Sequence, residues 1–115
     1  GDFGLARATT ANTATGQQLL GTIAYLAPEL VTRGTADARS DIYALGIMLY
    51  EMLARRKPYH GETAMEILQQ HVGAPLPQLP AELAGFQPIL DRLLAKKPND
   101  RYDTAAQLIE ALAGA

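Results

Sequence analysis

Asp2-Phe3-Gly4 opens the chain, and Ala27-Pro28-Glu29 follows 25 residues after Asp2. Each triplet carries a carboxylate. A carboxylate is the natural ligand of Mg²⁺, which prefers oxygen and takes few of its ligands from protein. An aspartate beside a glycine is otherwise an ordinary turn residue. Either triplet alone arises by chance in about one chain in a hundred of this length, and the ordered, spaced pair on the order of once in ten thousand or less. Between them, residues 5–18 are small and polar without apolar periodicity, and they hold Thr9, Thr10, Thr13 and Thr15. On composition alone that stretch reads as a mobile loop or linker. His60 and His71 have no second ligand at helical spacing, so both read as solvated surface residues.

Composition bounds what these groups can belong to. The 115 residues are 48% hydrophobic, enough for an ordinary core in one domain or part of one. Ten Lys and Arg against 12 Asp and Glu give a formal charge of −2, which argues against a nucleic-acid surface. The absence of cysteine excludes a disulfide scaffold, a thiolate zinc site and a cysteine nucleophile. The longest apolar stretch, residues 42–50, is roughly half a bilayer span. The chain opens on Gly1, as expected of a piece of a longer polypeptide.

The elements that must position the two triplets read as helices. Pro28 suits a first helical turn, predicting a short helix near residues 28–32 closed by Gly34. Residues 41–54 are apolar on nearly every face and predict a helix buried all round. Ser40 is its expected N-cap, with Asp41 at the positive end of the dipole and Arg55, Arg56 and Lys57 at the negative end. Gly46 inside it predicts close approach of another backbone. Residues 62–72 predict an amphipathic helix with Met65, Leu68 and Val72 inward, and Pro75, Pro77 and Pro80 an extended connector. Phe86, Ile89, Leu90, Leu93 and Leu94 follow the spacing of a core-facing helix ended by Pro98. Thr104 and Gln107 form a capping-box signature for a last helix carrying Leu108, Ile109 and Leu112. No strand alternation stands out, so the fold class is mainly α, a long loop followed by about five helices.

The motif pair resembles the two boundaries of the activation segment of a protein kinase. Gly21-Thr22-Ile23-Ala24-Tyr25-Leu26-Ala27-Pro28-Glu29 looks like the Gly-Thr-x-x-Tyr-x-Ala-Pro-Glu run of serine/threonine kinases. Asp41-Ile42-Tyr43-Ala44-Leu45-Gly46 resembles the start of the central helix of the large lobe, and Arg101 matches the arginine that precedes the last helix. Tyr43, where the family often has Trp, and the alanine-rich tail look more like the bacterial, eukaryotic-like branch. The resemblance covers essentially the whole chain. It implies part of a catalytic domain at 1–115, with residues 1–29 as activation segment and 30–115 as the helical part of the large lobe.

By resemblance, Asp2 binds the metal that bridges the β- and γ-phosphates of ATP, which implies ATP and Mg²⁺, or Mn²⁺, as cofactors. Phe3 would pack beneath the site and Gly4 supply backbone freedom. Thr9, Thr10, Thr13 and Thr15 would lie on the activation loop, where a phosphate can order the segment against arginines, Thr13 and Thr15 being favoured by their central position. Thr22 would hydrogen-bond the catalytic base and shape the substrate-facing loop. Glu29 and Arg101 would form a partly buried bidentate ion pair. Asp41 would hold the backbone of the catalytic loop.

These 115 residues contain no Gly-x-Gly-x-x-Gly loop, no Val-Ala-Ile-Lys lysine and no His-Arg-Asp catalytic loop. The expectation is therefore a parent kinase that phosphorylates Ser and Thr of proteins, with its base and lysine upstream, and an isolated chain that is inactive and self-associates. The location expected is cytoplasmic, with no nucleic-acid or membrane contact from this segment and any anchor outside it. The competing reading is a non-catalytic, pseudokinase-type scaffold or interaction module, which the intact Asp2-Phe3-Gly4 disfavours.

Overall fold

The computed structural model describes residues 23–114. Among them are five α-helices and no strand: α1 (Pro28–Thr32), α2 (Ala38–Ala54), α3 (Ala64–Gly73), α4 (Gln87–Leu93) and α5 (Ala105–Ala113). Short 3₁₀ turns at Ala81–Phe86 and Pro98–Asp100 precede α4 and α5. The mainly α architecture expected from the sequence is the one found.

The long helix α2 organises the rest. It starts three residues earlier than Asp41 because Asp37, not Ser40, is the N-cap. The Asp37 carboxylate accepts the Arg39 N–H at 2.8 Å, and Ser40 Oγ accepts the Asp37 N–H at 3.3 Å. Two good capping residues three apart satisfy each other's backbone donors, and this reciprocal box is the more complete solution. The helix stops at Arg55, which takes a left-handed conformation with φ 59° and returns its N–H to the Glu51 carbonyl at 2.8 Å.

Two faces of α2 are packed. Tyr43, Ile47 and Tyr50 join Ala27, Tyr59, Leu90 and Leu94, while Ile42 joins Ile89, Leu93, Tyr102 and Leu108. Gly46 sits between these clusters where α2 meets α4. A β-carbon there would stand 2.7 Å from Leu93 Cβ and 2.8 Å from Leu94 Cδ2. The close approach is thus of side chains, not of a backbone. A third face, with Leu45, Met48 and Met52, is exposed, so α2 is not buried all round within these residues.

Helix α3 also differs from expectation. Its inward residues are Ile67 and His71, while Met65 and Val72 are exposed. Ten residues carry two adjacent apolar stripes, and the stripe facing Tyr43 and Tyr59 is the one buried. The connector after α3 is held by Gln87, which accepts the Leu79 N–H at 2.8 Å and donates to Pro77 O at 3.1 Å. In α4 the expected face is buried at Ile89, Leu90, Leu93 and Leu94, although the first turn at Phe86 is 3₁₀. Thr104 caps α5 by accepting the Gln107 N–H at 3.3 Å, and Leu108 alone of the expected trio is buried, with Ile109 and Leu112 exposed.

Candidate functional site

The described part of the site begins at Ile23 and runs into α1. Ile23, Ala24 and Ala27 are buried, and the Leu26 N–H turns back to Ile23 O at 3.1 Å. Pro28 then opens α1 where its missing N–H costs no helical bond. Gly34 ends the piece with φ +73°, its N–H reaching Glu29 O at 3.1 Å. Glu29 is placed in the first turn of α1, pointing inward at 8% exposure.

The structure brings Glu29 and Arg101 together across 72 residues of sequence. Arg101 Nη1 donates to Glu29 Oε2 and Nη2 to Oε1, both at 2.8 Å, a bidentate fork. Arg101 is 1% exposed, more deeply buried than expected. Its remaining donors are matched as well: Nε to Ala95 O at 2.7 Å, Nη1 to Arg39 O at 3.0 Å and Nη2 to Lys96 O at 3.3 Å. Its guanidinium also lies 4.9 Å from the Tyr43 ring centroid. Burial alone would raise the Glu29 carboxyl, but the bonds from Arg101 and Ser40 outweigh it and hold its pKa below the ordinary glutamate value.

Ser40 has a role that the sequence reading missed. Its hydroxyl donates to Glu29 Oε2 at 2.6 Å, so the start of α2 is tied to the ion pair. Nothing in a capping signature points to this bond, because its partner lies on another element. Arg39, one residue earlier, reaches out to Asn99 and to Asp103 Oδ1 at 3.0 Å, linking α2 to the approach of α5. Asp41 lies exposed in the first turn of α2, and the catalytic loop it is expected to hold is not among these 115 residues.

A second polar cluster adjoins the first. His71 on α3 is wholly buried, contrary to its expected surface position, while His60 is exposed as expected. His71 Nδ1 lies 2.7 Å from the Tyr43 hydroxyl. Lys96 Nζ donates to Gln70 O, His71 O and the Tyr59 hydroxyl at 3.1, 2.9 and 3.0 Å. Burial and the nearby Arg101 lower the Lys96 pKa to about 8. Burial raises the Tyr59 hydroxyl to about 12 and holds that of Tyr43 well above its ordinary value. The cluster joins α2, α3 and the turn before Arg101 beneath the segment at Ile23.

Asp2, Phe3, Gly4, Thr9, Thr10, Thr13, Thr15 and Thr22 lie outside the described residues. Among the described residues no group of three His, Asp or Glu could hold a metal ion, and no helix is long and apolar enough to cross a membrane.

The family model for the protein kinase domain matches residues 1–112. The serine/threonine-protein kinase PknL of Mycobacterium tuberculosis is 42% identical over 121 residues, covering 97% of this chain and 30% of that protein. PrkC of Bacillus subtilis, also named a serine/threonine-protein kinase, is 39% identical over 112 residues, covering 93% of this chain and 17% of its own length. PknB of Mycolicibacterium smegmatis, of the same description, is 42% identical over 115 residues, with 93% and 18% covered. The chain thus spans less than a third of these relatives. With the motif run, the buried Glu29–Arg101 fork and a family match over nearly every residue, the chain belongs to the protein kinase domain family.

Proposed function

We propose that this chain is the C-terminal part of a serine/threonine kinase catalytic domain, with 1–29 as activation segment and 30–115 as helical subdomain. The parent protein transfers the γ-phosphate of ATP to Ser and Thr hydroxyls of protein substrates. Phosphoryl transfer needs alignment and charge neutralisation more than covalent chemistry. The observation that carries the reading is the fork from Arg101 to Glu29, which fixes the end of the Gly21–Glu29 run to the helical body. A segment that must present an acceptor hydroxyl gains from such an anchor, because small displacements are costly to catalysis.

Mg²⁺, or Mn²⁺ in its place, when bound supplies neutralisation of phosphate charge; Asp2 is the residue proposed to hold it. Thr22 shapes the loop that receives the acceptor, and Asp41 steadies the backbone of the catalytic loop. Phe3 and Gly4 set the direction of Asp2. Thr9, Thr10, Thr13 and Thr15 are the proposed phosphorylation sites that order the segment.

The isolated chain is inactive on this reading, since the lysine and base are not in it. The exposed stripe of Leu45, Met48 and Met52 supports its self-association.

The test is incubation of the parent protein with ATP, Mg²⁺ and a protein acceptor. Phosphoserine or phosphothreonine in the acceptor is expected. No transfer, or transfer to tyrosine alone, overturns the reading.

A further inference from the structure

Ser40 carries a buried hydroxyl that the reading above does not use. It stands in the first turn of α2, where its Oγ accepts the Asp37 N–H at 3.3 Å and lies 2.6 Å from Glu29 Oε2. These two neighbours fix where the hydroxyl proton goes. Arg101, forked onto Glu29 at 2.8 Å, keeps the carboxylate ionised. An ionised carboxylate has acceptors only, so Ser40 donates to it, and the length is that of a charge-assisted bond.

The fork between Glu29 and Arg101 does not by itself orient the chain around Glu29. Two parallel bonds hold carboxylate and guanidinium in one plane, yet the pair can swing as a unit on two flexible side-chain stems. Ala27, in the core with Tyr43 and Ile47, is held by non-directional contacts, which resist separation more than sliding. The first turn of α2 removes that freedom. Adjacent residues there hold the two partners separately: the Arg39 carbonyl accepts from Arg101 Nη1 at 3.0 Å, and Ser40 donates to Glu29. Glu29 Oε2 thus takes two donors, one from α2 and one from the turn before α5. The added contacts define an orientation that the fork alone leaves open.

We propose that Ser40 is a positioning residue for the acceptor-presenting run, its hydroxyl setting the register of residues 23–29 against α2. This rests on the kinase reading, which makes that run substrate-facing. Glu29 closes the run, two residues after the buried Ala27 and three after Leu26, whose N–H turns back to Ile23 O at 3.1 Å. A displaced carboxylate therefore carries its shift into this backbone. Ser40 acts through Glu29 and not by contact with the acceptor. A misplaced run is felt by the protein acceptor, whose hydroxyl must be aligned, and not by ATP.

The test compares two variants of the parent protein that both weaken the start of α2. Ser40→Ala removes the donor to Glu29 together with one half of the capping box. Asp37→Ala removes the other half, the acceptor of the Arg39 N–H, and leaves the Ser40–Glu29 bond in place. In Ser40→Ala, kcat/KM for a peptide acceptor is expected to fall about tenfold or more, the factor a hydrogen bond to a charged group carries, while KM for ATP stays within about twofold. Asp37→Ala is expected to lower the melting temperature through its lost cap and to keep peptide kinetics within about twofold of wild type.

Should Ser40→Ala fold poorly, Ser40→Cys keeps nearly the same shape and offers only a weak donor, and the same selective loss is expected. Wild-type peptide kinetics in the Ser40 variant overturns this inference alone. Equal kinetic losses in Ser40→Ala and Asp37→Ala, or parallel losses for peptide and ATP, would mark a merely structural role and also overturn it. A wild-type parent without phosphate transfer overturns the kinase reading, and the positioning role with it.

Discussion

Glu29→Ala would strand the Arg101 guanidinium, which is 1% exposed and has no other carboxylate within bonding distance among the described residues. The stranded charge would keep three backbone acceptors, on Ala95, Arg39 and Lys96. Removing one partner of a buried pair costs about 3–5 kcal/mol. Arg101→Ala should cost at least as much, because it leaves those three carbonyls unmatched as well as the Glu29 carboxylate, at about 1 kcal/mol or more for each buried orphan. The double variant should lose little beyond Arg101→Ala alone, since the carboxylate it removes would already lack its partner. Urea unfolding of the full catalytic domain reads these losses. With a slope of about 3 kcal/mol/M, Glu29→Ala should lower the midpoint by about 1–1.7 M. A shift below about 0.3 M for both single variants, or strictly additive losses, would refute the reasoning. The same pair sets a pH dependence. The Glu29 pKa is lowered on folding, so the unfolded state binds the extra proton. The stabilisation is present above the unfolded value of 4.5 and is lost as pH falls through the lower folded value. Glu29→Gln should flatten the acid limb of the stability curve.

Two further outcomes follow from the backbone of α2. Gly46→Ala should destabilise the domain by about 1–3 kcal/mol despite alanine's better helix propensity, because the new methyl collides with Leu93 and Leu94; a melting temperature equal to or above wild type would contradict this. Arg55→Gly should stabilise by up to about 1 kcal/mol, since Arg55 ends the helix with φ 59° where glycine carries no strain; a lowered melting temperature would contradict that.

The residues readable in sequence were those whose partners are local or whose motif is distinctive. Pro28 at the start of α1 and the packed face of α4 announce themselves through backbone chemistry and 3.6-residue spacing. Glu29 and Arg101 were legible only through family resemblance, because nothing local relates residues 72 apart. His71 was misread because a histidine at mid-helix looks solvated until Tyr43, 28 residues away, is known to meet it. The outward turn of Met65 and Val72 has the same origin: two stripes were available, and neighbours on other elements chose between them. Ser40 looked like a cap because it is one half of a capping box, while its hydroxyl proton goes to Glu29. The exposed Leu45, Met48 and Met52 fit a helix whose composition suits burial on more faces than these residues cover.

The account turns most directly on Asp2. Phosphate transfer by the parent protein should be measured before and after Asp2→Ala, at saturating ATP and Mg²⁺ and with unchanged thermal stability as control. A loss of roughly a hundredfold or more in kcat is predicted, as the proposed role of Asp2 in holding the metal requires, a contact worth several kcal/mol to the transition state. Wild-type turnover in the variant would contradict it.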